Sequence, residues 1–197
     1  QQRATLGATW GGSDWGIHVS SDVNYIIGNN DDVSMGIYEA YASTDLMGYA
    51  SLTMGRQALS YGSGALMSGN DWGVDRTTWD GMSFGLGLDM ADITVGYHSA
   101  NAGGVDDEDA GNMHINVAGD FSGWNVNVLY MTNTAHDDAD TGIDISGEVA
   151  GAGVSASMNT DFGGNDMRVL GLSYAVNDDM GVNASQTVYS EDGAFRM

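Results

Sequence analysis

MSFGLGLDM, residues 82–90, decides how the rest of the chain is read. In an extended strand successive side chains point to opposite faces, so Met82, Phe84, Leu86, Leu88 and Met90 share one face. Ser83, Gly85, Gly87 and Asp89 share the other. A water-soluble single sheet has no use for a small, polar face turned inward. A sheet that shows its apolar face to lipid and keeps its polar face inside has that use.

The same two-residue alternation extends in both directions and predicts about twelve strands. Ahead of residue 82 lie Ala4–Trp10, Trp15–Ile26 and a hairpin folded about Asp45-Leu46-Met47-Gly48. Behind it, Ile93, Val95 and Tyr97 alternate with Thr94, Gly96 and His98, and Trp124, Val126, Val128 and Tyr130 alternate with Asn125 and Asn127. Strands around 113–121, 143–149, 154–162, 167–176 and 181–189 complete the set. The links alternate in length. They are short near 11–14, 45–48, 89–92, 122–124, 151–153 and 177–180, and longer near 27–32, 62–78, 99–111, 133–141, 162–166 and from 190 onward. Outer-membrane barrels have this asymmetry, with short periplasmic turns and long outer loops. Trp10, Trp15, Tyr49 and Trp124 near the short turns, and Tyr25, Tyr61 and Trp79 near the long ones, suit two aromatic girdles.

Composition narrows the function. The chain has 197 residues with 30 Gly, 12 Met, no Pro, no Cys and a formal net charge of −22. Such a charge opposes a nucleic-acid partner, since phosphate neutralisation needs clustered Lys or Arg. The absence of cysteine removes disulfide and thiolate chemistry. No apolar run is long enough for a transmembrane helix.

Within the hairpin, Glu39 and Arg56 fall on the otherwise apolar face of their strands with the turn midway between them, which predicts a cross-strand ion pair. Arg56 lies about nine residues, roughly 30 Å, beyond the turn, at the rim of an apolar band. Around this hairpin the chain carries Glu39-Ala40-Tyr41, Gly55-Arg56-Gln57, Tyr61-Gly62 and Trp72…Arg76-Thr77-Thr78-Trp79-Asp80-Gly81. In these motifs it resembles the alginate-export type of outer-membrane β-barrel. General diffusion porins share a strand like the one ending Gly55-Arg56-Gln57. The resemblance implies a channel through the bacterial outer membrane, with Tyr61, Trp72, Arg76, Trp79 and Asp80 in the family's loop segment.

The expected architecture is therefore all-β, an antiparallel up-and-down transmembrane barrel forming a single domain over residues 1–197. Entry and exit of the chain on the outer side suggest a fragment lacking strands at both ends of a barrel of about 16–18 strands. Candidate pore-lining residues on the inward face are His18, Asp22, Asp89, His98, His114, Asp120, Asp144, Glu148 and Asp161. With no inward arginine expected in the band, such a lining favours cations, which is at odds with an acidic polysaccharide as cargo. Arg56 and Arg168, on the outward face, suit lipid or lipopolysaccharide headgroups; Arg3 and Arg76 are placed at similar height.

The expected function is passive, cation-preferring passage of small hydrophilic solutes, with homo-oligomers as common among porins. The alternatives are an oligosaccharide or alginate-type channel and, from another class, a secreted all-β structural or adhesive protein. Catalysis is not expected: His18, Ser20 and Asp22 share a face, but neighbours along it stand about 7 Å apart, beyond hydrogen-bond reach. No cofactor is expected and no Cys/His metal cluster is visible. The acidic loops 29–32, 105–109 and 136–140 offer oxygen ligands for weak Ca²⁺ binding but lack EF-hand spacing.

Overall fold

The computed structural model describes residues 2–26, 29–69, 76–100, 111–134, 137, 139–177, 179–190 and 195. Twelve strands form: β1 (Gln2–Gly11), β2 (Trp15–Ile26), β3 (Asn29–Leu46), β4 (Ala50–Gln57), β5 (Trp79–Gly87) and β6 (Asp92–Ala100), followed by β7 (Gly111–Phe121), β8 (Trp124–Asn133), β9 (Ala139–Val149), β10 (Ala152–Thr160), β11 (Asp166–Asn177) and β12 (Met180–Tyr189). They make one antiparallel sheet in chain order, β1 to β12. All six expected short turns are present. The link expected to be long at 27–32 is not, because β3 already begins at Asn29. β1 and β12 are edges with no strand pairing between them among the described residues, so the sheet is open where closure was expected.

Burial is inverted with respect to a soluble protein. Met35 is 75 % exposed and Leu6 72 %, whereas His98 is 0 % and His114 1 % exposed. On β5 the apolar face of Met82 and Phe84 lies open, as do Val128 and Tyr130 on β8 and Leu170, Leu172 and Tyr174 on β11. Ser20, Asp22, Asn24, Asn112, Asn116 and Asn159 are buried on the other face. Buried polar groups normally cost stability unless they are partnered; here something must cover that face.

The cover is the long β4–β5 connection. Met67 packs with Trp79, Leu129 and Met131, and Ala65 packs with Met167 of β11. Further along, Gly69 and Thr77 are joined backbone to backbone, O to N 2.9 Å, and the neighbouring Arg76 binds Asp22 of β2. β2 and β11 are nine strand spacings apart, about 43 Å along a flat sheet. The four residues from Ala65 to Gly69 extend at most about 14 Å. One short segment plus side chains spans the two walls only because the sheet curves around it.

A bulge resets one register. Ser20 pairs with Glu39 but Ser21 pairs with Ile37, leaving Tyr38 as an extra residue in β3. One extra residue moves every following side chain to the opposite face. Val33, Met35 and Ile37 therefore point to the apolar side, while Glu39 and Tyr41 join His18 on the polar side.

Candidate functional site

The polar face and the loop laid on it form the candidate site. The loop turns inward because its apolar residues find apolar seats on an otherwise polar wall. Leu129 and Met131 on β8, Trp79 on β5 and Met167 on β11 all interrupt the polar pattern of their faces, and all four are buried. Trp79 is thus a floor for Met67, not the girdle residue expected from its position. Tyr61 is also drawn inside: its hydroxyl lies 3.2 Å from His114 Nε2. Burial pushes the Tyr61 phenol up to about 12, opposed by a hydrogen bond from Thr94. At Gly62 the loop runs with φ +57°, and a Cβ there would collide with the Asp144 carboxylate and the Asn127 amide. Ser63 and Ser157 hydroxyls meet at 3.3 Å.

Arg76 anchors the other end of the connection. Its Nε donates to Asp22 Oδ2 at 2.8 Å and its Nη2 to Asp22 Oδ1 at 2.5 Å and Thr5 Oγ1 at 3.1 Å. The guanidinium lies 3.1 Å above the centre of the Tyr38 ring, the residue extruded by the bulge. Both partners of this pair are largely shielded, with side chains 12 % and 10 % exposed. Arg3 joins them on the polar face, since it stands opposite the buried Asn24. Two arginines therefore face inward at the long-loop end, Arg3 by strand parity and Arg76 by the infolded loop, while the expectation of no inward arginine concerned the band between the rims.

The ion pair expected between Glu39 and Arg56 does not form. Arg56 stands opposite Ala40 on one side and Asp80 on the other. Its Nε and Nη2 grip the two Asp80 oxygens at 2.9 and 2.8 Å, a bidentate pair on the apolar face. Glu39, turned over by the bulge, accepts from the Ala58 N–H at 3.3 Å and lies 3.6 Å from His18 Nε2.

The remaining candidates divide by height. His18 stacks on Tyr41, ring centres 5.2 Å apart, and its Nδ1 lies 2.9 Å from Thr9 Oγ1. His98 and His114 stack on each other, centres 5.2 Å apart and planes 18° apart. Asp120 and Asp144 line a cavity of about 880 Å³ between loop residues 62–65 and the wall, together with Asp92, which the sequence reading passed over. Glu148 is exposed on the same face near the β9–β10 turn. Asp89 is in the β5–β6 turn, because β5 ends at Gly87, and so does not line the wall. Asp161 lies just beyond β10, where it holds the β10–β11 link by accepting from Gly163 and Asn165 N–H groups, both at 2.9 Å. Arg168 stays on the apolar face, 3.4 Å from Asp166.

Trp72, the acidic run 105–109, and His136 and Asp138 of the third acidic loop lie outside the described residues. Among the described residues no three His, Cys, Asp or Glu side chains gather as a metal cluster. No family model matches the chain, and no curated protein matches it.

Proposed function

We propose that the chain forms the wall of a membrane-spanning β-barrel, in the bacterial outer membrane, that passes small hydrophilic solutes and prefers cations. The observation that carries this reading is the inverted burial: an apolar face left bare along all twelve strands and, where the loop lies on the sheet, a buried polar face. Most strands run nine to twelve residues, and about 9–11 tilted residues cross a bilayer. Twelve alternating strands also leave β1 and β12 antiparallel to each other, the sense that closure of a barrel requires.

In this reading loop residues 58–69 narrow the passage, and the about 880 Å³ cavity beside them is the path. Asp92, Asp120 and Asp144 give that path its sign. Near the long-loop end Arg76 is committed to Asp22, so the carboxylates deeper in the path set the selectivity. An acidic polysaccharide would meet those carboxylates, which favours small cations and neutral solutes as cargo. The test is reconstitution of the full chain into planar bilayers under a KCl gradient. A steady conductance with a cation-selective reversal potential is expected; anion selectivity, or insertion without conductance, overturns the reading.

A further inference from the structure

We propose that His98, His114 and Tyr61 form a binding site for a divalent transition-metal cation of the Cu²⁺ type, set between the wall and the infolded loop. The two histidines come from adjacent strands, β6 and β7, at 0 % and 1 % exposure. They are diagonal neighbours: His114 stands opposite Gly96, and His98 opposite Asn112. Gly96 has no side chain, and the Cε1 edges of both rings converge over it, with His114 Nε2 2.8 Å from where a Cβ would be. The two rings, centres 5.2 Å apart, therefore occupy the space that a side chain at 96 would take.

Three of the four ring nitrogens have no hydrogen-bond partner among the described residues: His98 Nδ1, His98 Nε2 and His114 Nδ1. Buried polar atoms are normally satisfied, and three orphans on two adjacent buried rings ask what satisfies them. The fourth nitrogen, His114 Nε2, lies 3.2 Å from the Tyr61 hydroxyl, which the loop delivers to the same place. Two imidazoles and a phenol oxygen suit a borderline cation, for which copper ranks highest among divalent first-row metals.

A proton on either ring finds no carboxylate within reach. The cross-strand neighbours of the two rings on the wall are Gly81, Gly96, Asn112 and Met131, none of them a carboxylate to receive an imidazolium N–H. A cation bound at the lone pairs has its balancing charge farther off: Asp140 stands beyond Met131 at the same height, buried, with Oδ1 unpartnered. That is two strand spacings away, about 10 Å, so Asp140 acts through its field and not as a ligand. Because Tyr61 belongs to the loop, a bound ion also pins the loop to the wall.

The test is titration of the full chain, folded in detergent, with Cu²⁺, followed by calorimetry and electron paramagnetic resonance. One tight Cu²⁺ per chain with hyperfine structure from two nitrogens is expected in the wild type. His98→Asn and His114→Asn should each weaken binding by more than the roughly 10–100-fold typical of losing an outer-shell partner. His18→Asn should leave it unchanged, and Ca²⁺ should not compete. A wild-type spectrum without two-nitrogen coupling, or tight binding that persists in His98→Asn and disappears in His18→Asn, overturns the proposal. The wild-type spectrum decides the matter even if a histidine variant fails to fold, and neither measurement depends on conduction.

Discussion

Replacing Met67 by alanine should release the infolded loop without dissolving the sheet. Met67 is 1 % exposed and sits among Trp79, Leu129 and Met131. Truncating a buried methionine to alanine costs about 2–5 kcal/mol, the lost transfer energy plus the cavity left behind. No strand pairing passes through Met67, so the loss falls on the seating of the loop. At about 3 kcal/mol the seated fraction falls relative to the released one by roughly a hundredfold. Amide hydrogen exchange reads this directly, because the loop carries its own reporters. The Tyr61 N–H is bonded to Met67 O at 3.1 Å, Gly64 N–H to Tyr61 O at 2.9 Å, and Thr77 N–H to Gly69 O at 2.9 Å. Protection at these amides should drop by about that factor while amides of β7 and β8 hold theirs. Unchanged protection at Tyr61 and Gly64 would show that the apolar seat is not what holds the loop, and would refute the reasoning.

Three further outcomes are expected. In a double-mutant cycle of Arg56→Ala and Asp80→Ala, the half-exposed bidentate pair should couple by about 0.2–1 kcal/mol in denaturant melts, whereas a Glu39→Gln and Arg56→Ala cycle should show no coupling. Arg76→Gln should strip the compensation from shielded Asp22, destabilising the fold by about 3–5 kcal/mol and moving the reversal potential toward greater cation selectivity, both measurable on the reconstituted protein. Tyr61, whose phenol is raised from 10.0 to about 12, should be a late-ionising tyrosine in an alkaline absorbance titration that Tyr61→Phe removes. Because the folded value is the higher one, its contribution to stability is complete below pH 10 and is lost as pH rises towards 12.

The strands were legible because a period of two survives in nearly every segment, and the short turns because Gly, Asp and Asn mark them. The bulge at Tyr38 was not legible: nothing in Ile37-Tyr38-Glu39 announces an extra residue, and it turns Glu39 from the face of Val33, Met35 and Ile37 to that of His18, while the three-residue turn 47–49 sets Ala40, not Glu39, opposite Arg56. The infolded loop left a readable trace. Leu129 and Met131 are apolar where parity demands polar, which is the footprint of something packed on that face. Trp79 and Met167 carry the same sign from their own strands, though only the fold shows that one loop touches all four. Asp89 was assigned to the wall because the alternation of Leu88 and Met90 runs on past Gly87 into the turn, where side-chain parity no longer implies a face. Asp92 was hidden by the opposite error, since β6 starts one residue before the first apolar position.

Thiol accessibility along β5 tests the inverted sheet most directly, and the chain's lack of cysteine makes each introduced thiol unique. Single cysteines at Met82, Ser83, Phe84, Gly85 and Leu86 would be probed in liposomes with a water-soluble reagent and, separately, labelled with a fluorophore exposed to lipid-borne quenchers. The expected result is alternation with a period of two: 83 and 85 react from water, while 82, 84 and 86 resist it and are quenched from the lipid. Reaction from water at 82, 84 and 86 with no quenching by lipid would contradict a membrane-spanning wall.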